Sequence, residues 1–115
     1  MDISEKMIDG ALVAMLTGKM DAQNSSVLED WLSERTETVT GPLVLDFGGL
    51  SYICSAGLRV VLSLAKAMKR TGRPFGLCGL YGPVREVFMV SGFIQILPVY
   101  NSVEEAISEI GRAHV

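Results

Sequence analysis

Ser55 is the residue of this chain best placed to carry chemistry. It stands in Cys54-Ser55-Ala56-Gly57, just ahead of a stretch in which Leu58, Val61, Leu62, Ala65 and Met68 recur at spacings of three and four. That spacing puts the apolar side chains on one helical face, so a helix begins at the serine. The first N–H groups of a helix lack partners, and its N-terminus favours negative charge. A hydroxyl there suits two tasks, capping the helix or carrying an anionic group. Cys54 also has two readings. It is a thiol made reactive by the helix N-terminus, or a small buried hydrophobe beside Ile53. Asp46, at the acidic end of the apolar run 43–47, is either an acid that assists near the serine or a turn-forming residue. Arg59 projects from the helix's first turn, away from the apolar stripe, where it is solvated or meets a carboxylate or phosphate. Asp21 is expected to cap a second helix. Asn24 and Ser25 are then expected to lie exposed on that helix's first turn and to contact a partner.

Several kinds of chemistry lack their residues. The single histidine, His114, lies beside the C-terminus, which argues against a His-based metal site or a Ser–His pair in the core. No acid and base are paired, so an enzyme is not expected, and neither is a cofactor. Gly79-Leu80-Tyr81-Gly82 is too short and wrongly placed for a phosphate-binding loop. With a net charge of −3 and no basic stripe interleaved with aromatics, nucleic-acid binding has no support. No apolar stretch approaches the length of a membrane span, and the N-terminus lacks the pattern of a signal peptide. A cytoplasmic address is expected, with Cys54 and Cys78 as free thiols.

The elements that would position these residues follow from periodicity and punctuation. The 115 residues suffice for one domain, and residues 1–115 are read as such. Segments 3–8 and 11–16 flank Asp9-Gly10, a two-residue hairpin signal. Residues 17–20 leave the sheet, and the helix after Asp21 turns Val27, Leu28, Trp31 and Leu32 inward. Pro42 admits the central strand 43–47, which Gly48 and Gly49 break. The Ser55 helix ends in basic residues before Gly72. A buried strand is expected at 75–80, a short helix from Gly82-Pro83 to Ser91-Gly92, and an edge strand at 94–99, interrupted by Pro98. Ser102-Val103-Glu104-Glu105 is a capping-box pattern for a last helix that stops at Gly111. The implied fold class is α/β: one mixed, mostly parallel sheet with an N-terminal β-hairpin and about four helices.

With those pieces in order, the chain resembles a STAS domain of the anti-sigma factor antagonist family. The stretch VLDFGGLSYICSAGLRVVL is similar to that family's central signature. LTGKMDAQNS, VREVFMVSGF and SVEEAI look like its other segments at matching spacing. The resemblance implies bacterial signal transduction and transcription regulation by partner switching. The domain binds a kinase-like anti-sigma factor, is phosphorylated on serine by that kinase and is restored by a serine phosphatase. Well-known members carry Asp-Ser-Ser or Asp-Ser-Thr before the glycine, with the second hydroxyl as acceptor. Here Cys54, Ser55 and Ala56 occupy those places, so Ser55 is the expected phosphorylation site. The expected partner surface comprises Asp21, Asn24, Ser25, Asp46, Cys54, Ser55, Ala56, Gly57 and Arg59. Ala56 at the usual acceptor position also admits an alternative, a non-phosphorylated STAS scaffold in a signalling assembly or transport complex. The oligomeric state is open; an exposed edge strand permits dimers without requiring them.

Overall fold

Asp9 and Gly10 set the first strand pairing. Both have positive φ, 50° and 81°, the geometry of a two-residue turn whose twist matches its flanking strands. They join β1 (Asp2–Ile8) to β2 (Ala11–Met20) as an antiparallel pair, with Ile8 opposite Ala11. From β2 the chain crosses through α1 (Ser25–Thr38) to β3 (Leu43–Ile53), and through α2 (Ser55–Arg70) to β4 (Phe75–Cys78). It returns through α3 (Gly82–Val90) and the single turn α4 (Phe93–Ile96) to β5 (Val99–Tyr100), then ends in α5 (Val103–Ala113). This is a computed structural model, which describes the backbone of residues 1–113 and the side chains of residues 1–110. The sheet order is β1-β2-β3-β4-β5, and every pair after the hairpin is parallel. The fold is therefore the expected α/β domain with a hairpin at one edge of a mixed sheet.

Alternation along the strands divides the core between two faces. Leu43, Leu45 and Phe47 of β3 join Leu28 and Leu32 of α1, Val61 and Met68 of α2, and Val84 and Phe88 of α3. Phe47 meets Phe88 edge-on, with ring centroids 5.7 Å apart. Val44, on the other face, packs with Val13, Cys78 and two residues of α5, Ala106 and Ile110. Ser102 Oγ accepts from the Glu105 N–H at 3.1 Å, the first half of the expected capping box. Among the described residues no helix is long and apolar enough to cross a membrane.

Several boundaries differ from those expected. Residues 17–20 stay in β2, and β3 runs through Gly48 and Gly49 to Ile53, because the two strands pair side by side across register shifts. A Cβ on Gly49 would lie 2.6 Å from Thr17 Cγ2, so the second glycine permits close pairing and does not end the strand. Val27 is half exposed, whereas Val60 and Leu64 are buried and Leu62 and Ala65 half-buried. The inward face of α2 is wider than one stripe because α2 packs on α1 as well as on the sheet. The strand expected at 75–80 ends at Cys78. The strand expected at 94–99 becomes α4, closed by a Leu97 N–H to Phe93 O bond of 3.0 Å, then a two-residue edge strand beyond Pro98. Gly92, at φ 80°, sends the chain out of α3 and into that extra turn. The last helix runs past Gly111 to Ala113, and His114 lies outside the described residues.

Candidate functional site

β2 and β3 end side by side, and each gives way to a helix. The two helix starts therefore share one edge, outside the carboxyl ends of parallel strands, where crevices of α/β sheets form. The Cys54 N–H donates to Met20 O at 2.9 Å and joins the two strand ends. Gly57 lets α2 close onto them. A Cβ there would stand 2.5 Å from Met20 Sδ and 2.9 Å from Ile53 Cγ1, inside contact distance for any larger residue.

At the start of α2 the cap position belongs to Cys54, in extended backbone (φ −92°, ψ 173°), and no side chain caps the helix. The capping role considered for Ser55 is thus corrected. Ser55 is the first helical residue, exposed, and one turn from the exposed Arg59. The first turn holds no acid to offset the free N–H groups. Ala56 is half-buried and Gly57 buried. Cys54 is a half-buried free thiol, between its two expected readings.

The start of α1 is built differently. Asn24, not Asp21, holds the N-cap position, and its side chain makes no bond into the helix. Asp21 Oδ1 accepts from the N–H groups of Gln23 (2.9 Å) and Asn24 (3.0 Å), so it organises the turn ahead of the helix. Asn24 Oδ1 accepts in return from the Asp21 N–H at 2.9 Å, and its Nδ2 donates to Lys19 O at 2.9 Å. Asn24 is half-buried. Ser25 was expected exposed but is 6% exposed, because the preceding turn rotates it against the core. Ser26 takes the outward place.

Between the two helix starts lies a groove of about 340 Å³, lined by Ser25, Ser26 and Glu29 of α1 and by Ala56, Arg59, Val60 and Ser63 of α2. The structure brings Ser25, Ala56 and Arg59 together beside Ser55. The sequence reading missed Ser26, Glu29 and Ser63. Their three- and four-residue spacings were visible, but which helix faced which was not.

Asp46 is set apart from this edge. It sits seven residues before the end of β3 and lines a 400 Å³ cavity with Lys6, Gly79, Ser102 and Glu104. Its Oδ1 accepts from the Gly48 N–H at 2.8 Å. Cys78, a free thiol wholly buried on the α5 face, is pushed up from 9.0 to about 12. Burial is the main cause, followed by the charges of Asp46 and Glu104 and a hydrogen bond to Asp46. Among the described residues no three His, Cys, Asp or Glu side chains gather as metal ligands would.

Fold and edge together define the class: a single α/β domain whose sheet opens with a hairpin and whose parallel strands deliver two helix starts to one surface. A family model for the STAS domain matches residues 2–106, and the chain belongs to that family. It is 44% identical over 106 residues to BtrV of Bordetella bronchiseptica, a candidate anti-sigma factor antagonist by name, with 92% of this chain and 91% of BtrV covered. In fold it is similar to a candidate anti-sigma factor antagonist of Thermotoga maritima (TM-score 0.88, 19% identity, 94% and 93% covered). It is also similar to SpoIIAA, the Bacillus cell fate determinant, an anti-sigma factor antagonist. The unphosphorylated form gives a TM-score of 0.79 at 21% identity, covering 99% of both chains. The phosphorylated form gives 0.71 at 21% identity, covering 95% of this chain and 99% of SpoIIAA.

Proposed function

We propose that the protein is an anti-sigma factor antagonist that binds a kinase-like anti-sigma factor and is switched by reversible phosphorylation of Ser55. One observation carries the reading: Ser55 is an exposed, uncommitted hydroxyl at the first residue of a helix with no side-chain cap. The 44% identity to BtrV and the existence of a phosphorylated form of SpoIIAA support it. The partner surface consists of the 47–57 segment, the first turn of α2, and the Asp21–Ser25 turn at the start of α1. Cys54, Ala56 and Gly57 shape its floor, and Arg59 lies at its margin. A phosphate on Ser55 brings about two negative charges onto that surface. The free N–H groups of α2 tolerate the charge within the domain, while an acidic partner surface is repelled. A serine phosphatase restores binding. The protein acts by binding and catalyses nothing itself; its setting is bacterial, cytoplasmic transcription regulation.

Intact-mass measurement after incubation with ATP and the anti-sigma kinase encoded near this protein tests the reading. Addition of one phosphate to wild type and none to Ser55→Ala is the expected result. A stable complex that never gains phosphate would instead favour the second reading, a STAS scaffold that binds without being switched. Ala56 at the usual acceptor position is the observation behind that alternative.

A further inference from the structure

A second concave surface lies at the other end of α2 from Ser55. It is a groove of about 400 Å³, bounded by the last two turns of α2 and the segment from α4 to β5. Its apolar lining is Leu62 and Ala65 of α2, Phe75 of β4, and Ile96, Leu97 and Pro98. Ile96 is 67% exposed, although it sits on a helix of one turn whose other apolar members are half-buried. The polar lining is cationic throughout: Lys66, Lys69 and Arg73, with no acidic residue.

Helix termination accounts for part of this charge. Lys69, in the last turn of α2, offsets the partial negative charge of the C-terminus. Lys66 lies a turn earlier and Arg73 beyond the helix, so neither is required for that purpose. Arg73 is a fixed cation. Its guanidinium donates to Thr36 O and Gly41 O, each at 2.9 Å, and to Val39 O, all of them neutral carbonyls. Its Nε–H is buried without a partner. Among the described residues this immobilised guanidinium is balanced by carbonyls alone; with two lysines beside it on one wall and exposed aliphatic surface on the other, the groove is complementary to one kind of ligand.

The geometry points to a binding site for a small aliphatic anion, a soluble medium-chain carboxylate. The chain lies against Leu62, Phe75 and Ile96, and the carboxylate faces Lys66 and Lys69. The groove's size is in the range of small-ligand pockets, and its charge is confined to one wall, as a ligand with a single anionic end requires. The site is separate from the proposed partner surface, so its occupation does not compete directly with docking at Ser55.

Titration of the full chain with hexanoate, octanoate and decanoate, followed by amide NMR, tests this. Decanoate is expected to saturate one site and to shift the amides of Leu62, Lys66, Phe75 and Ile96. Affinity is expected to rise about fourfold per added methylene that is buried. Decanol and decyltrimethylammonium should bind at least about tenfold more weakly. Lys66→Glu, exposed and a turn before the helix end that Lys69 offsets, should weaken decanoate about tenfold while the variant's amide spectrum stays that of the folded chain, and adding Lys69→Gln should weaken it further. Equal binding of the anion and the ammonium, shifts confined to the Ser55 edge, or no saturable shift would overturn the assignment. So would an acidic amphipathic peptide that occupies the groove while decanoate does not.

Discussion

The starts of α1 and α2 lie side by side at the same sheet edge and are secured by opposite means. α1 begins after a turn held by side-chain hydrogen bonds, with Asp21 and Asn24 bonding to each other's backbone and Asn24 reaching back to Lys19. Those side chains are committed to holding the turn. α2 begins with no side-chain cap and is held by packing, through a glycine pressed onto Met20 and Ile53. Packing spends no polar group, so the N–H groups and the Ser55 hydroxyl stay available. If Ser55 is switched as proposed, the surface around it is anchored from beneath by apolar contact and not from the side by hydrogen bonds, which leaves it free to accept and lose a charged group.

The largest disturbance of this contrast should come from Gly57→Val, which drives side-chain atoms into Met20 and Ile53. A loss of about 1–3 kcal/mol in urea unfolding is expected, although most residues favour a helix interior over glycine. Met20→Ala removes a buried side chain and costs stability on its own, but the double variant should cost less than the sum of the two, and strict additivity would argue against the packing account. On the α1 side, Asp21→Ala and Asn24→Ala should each cost about 1 kcal/mol. The double variant should cost less than the sum, because the two residues share one network. Cys54→Ser, which gives α2 the kind of cap it lacks, should raise stability by about 0.5–1 kcal/mol. The smallest shift should follow Ser55→Ala, within about 0.5 kcal/mol by the same measurement, even as it abolishes phosphate addition.

The opposite face of the sheet supplies a contrast in pH. Cys78 keeps its proton to about pH 12 in the folded chain, whereas an unburied thiol loses it near 9.0. Between those values the native state binds more protons than the unfolded state, so stability falls as pH rises. Tyr100, raised by burial first and then by Glu109 and Glu105, adds a decline of the same sign above pH 10. Unfolding measured from pH 8 to 11 should show a shallower decline in Cys78→Ala than in wild type. Native Cys78 should also resist iodoacetamide at pH 8 while Cys54 reacts faster.

What could be read from the sequence was what neighbours along the chain decide. Asp9-Gly10 demanded a hairpin, the α2 stripe demanded a helix after Cys54, and Ser102 with Glu105 announced α5. What could not be read depended on partners distant in sequence. Gly48 and Gly49 look like a strand end until β2 lies against them, and that extension moved Asp46 from the expected end of the strand to its middle. The β-branched and aliphatic run after Gly92 suited a strand locally, yet the chain closes a helical turn there before Pro98. Ser25 and Ser26 differ by one position and by the whole depth of the surface; the turn ahead of α1 and the packing of that helix decide which is outside. The alanine at position 56 was legible at once, and its meaning for the switch rests on the mass measurement.

Arg73 has a consequence in time as well as in space. The carbonyls of Thr36, Val39 and Gly41 receive its guanidinium across 37, 34 and 32 residues of chain. A polypeptide made from its N-terminus has completed the connection between α1 and β3 long before the group that holds that connection exists. The crossover stays unfastened until residue 73 arrives, so the α1–β3 loop should acquire protection from amide exchange together with β4 and not with α1 and β3, which it directly joins.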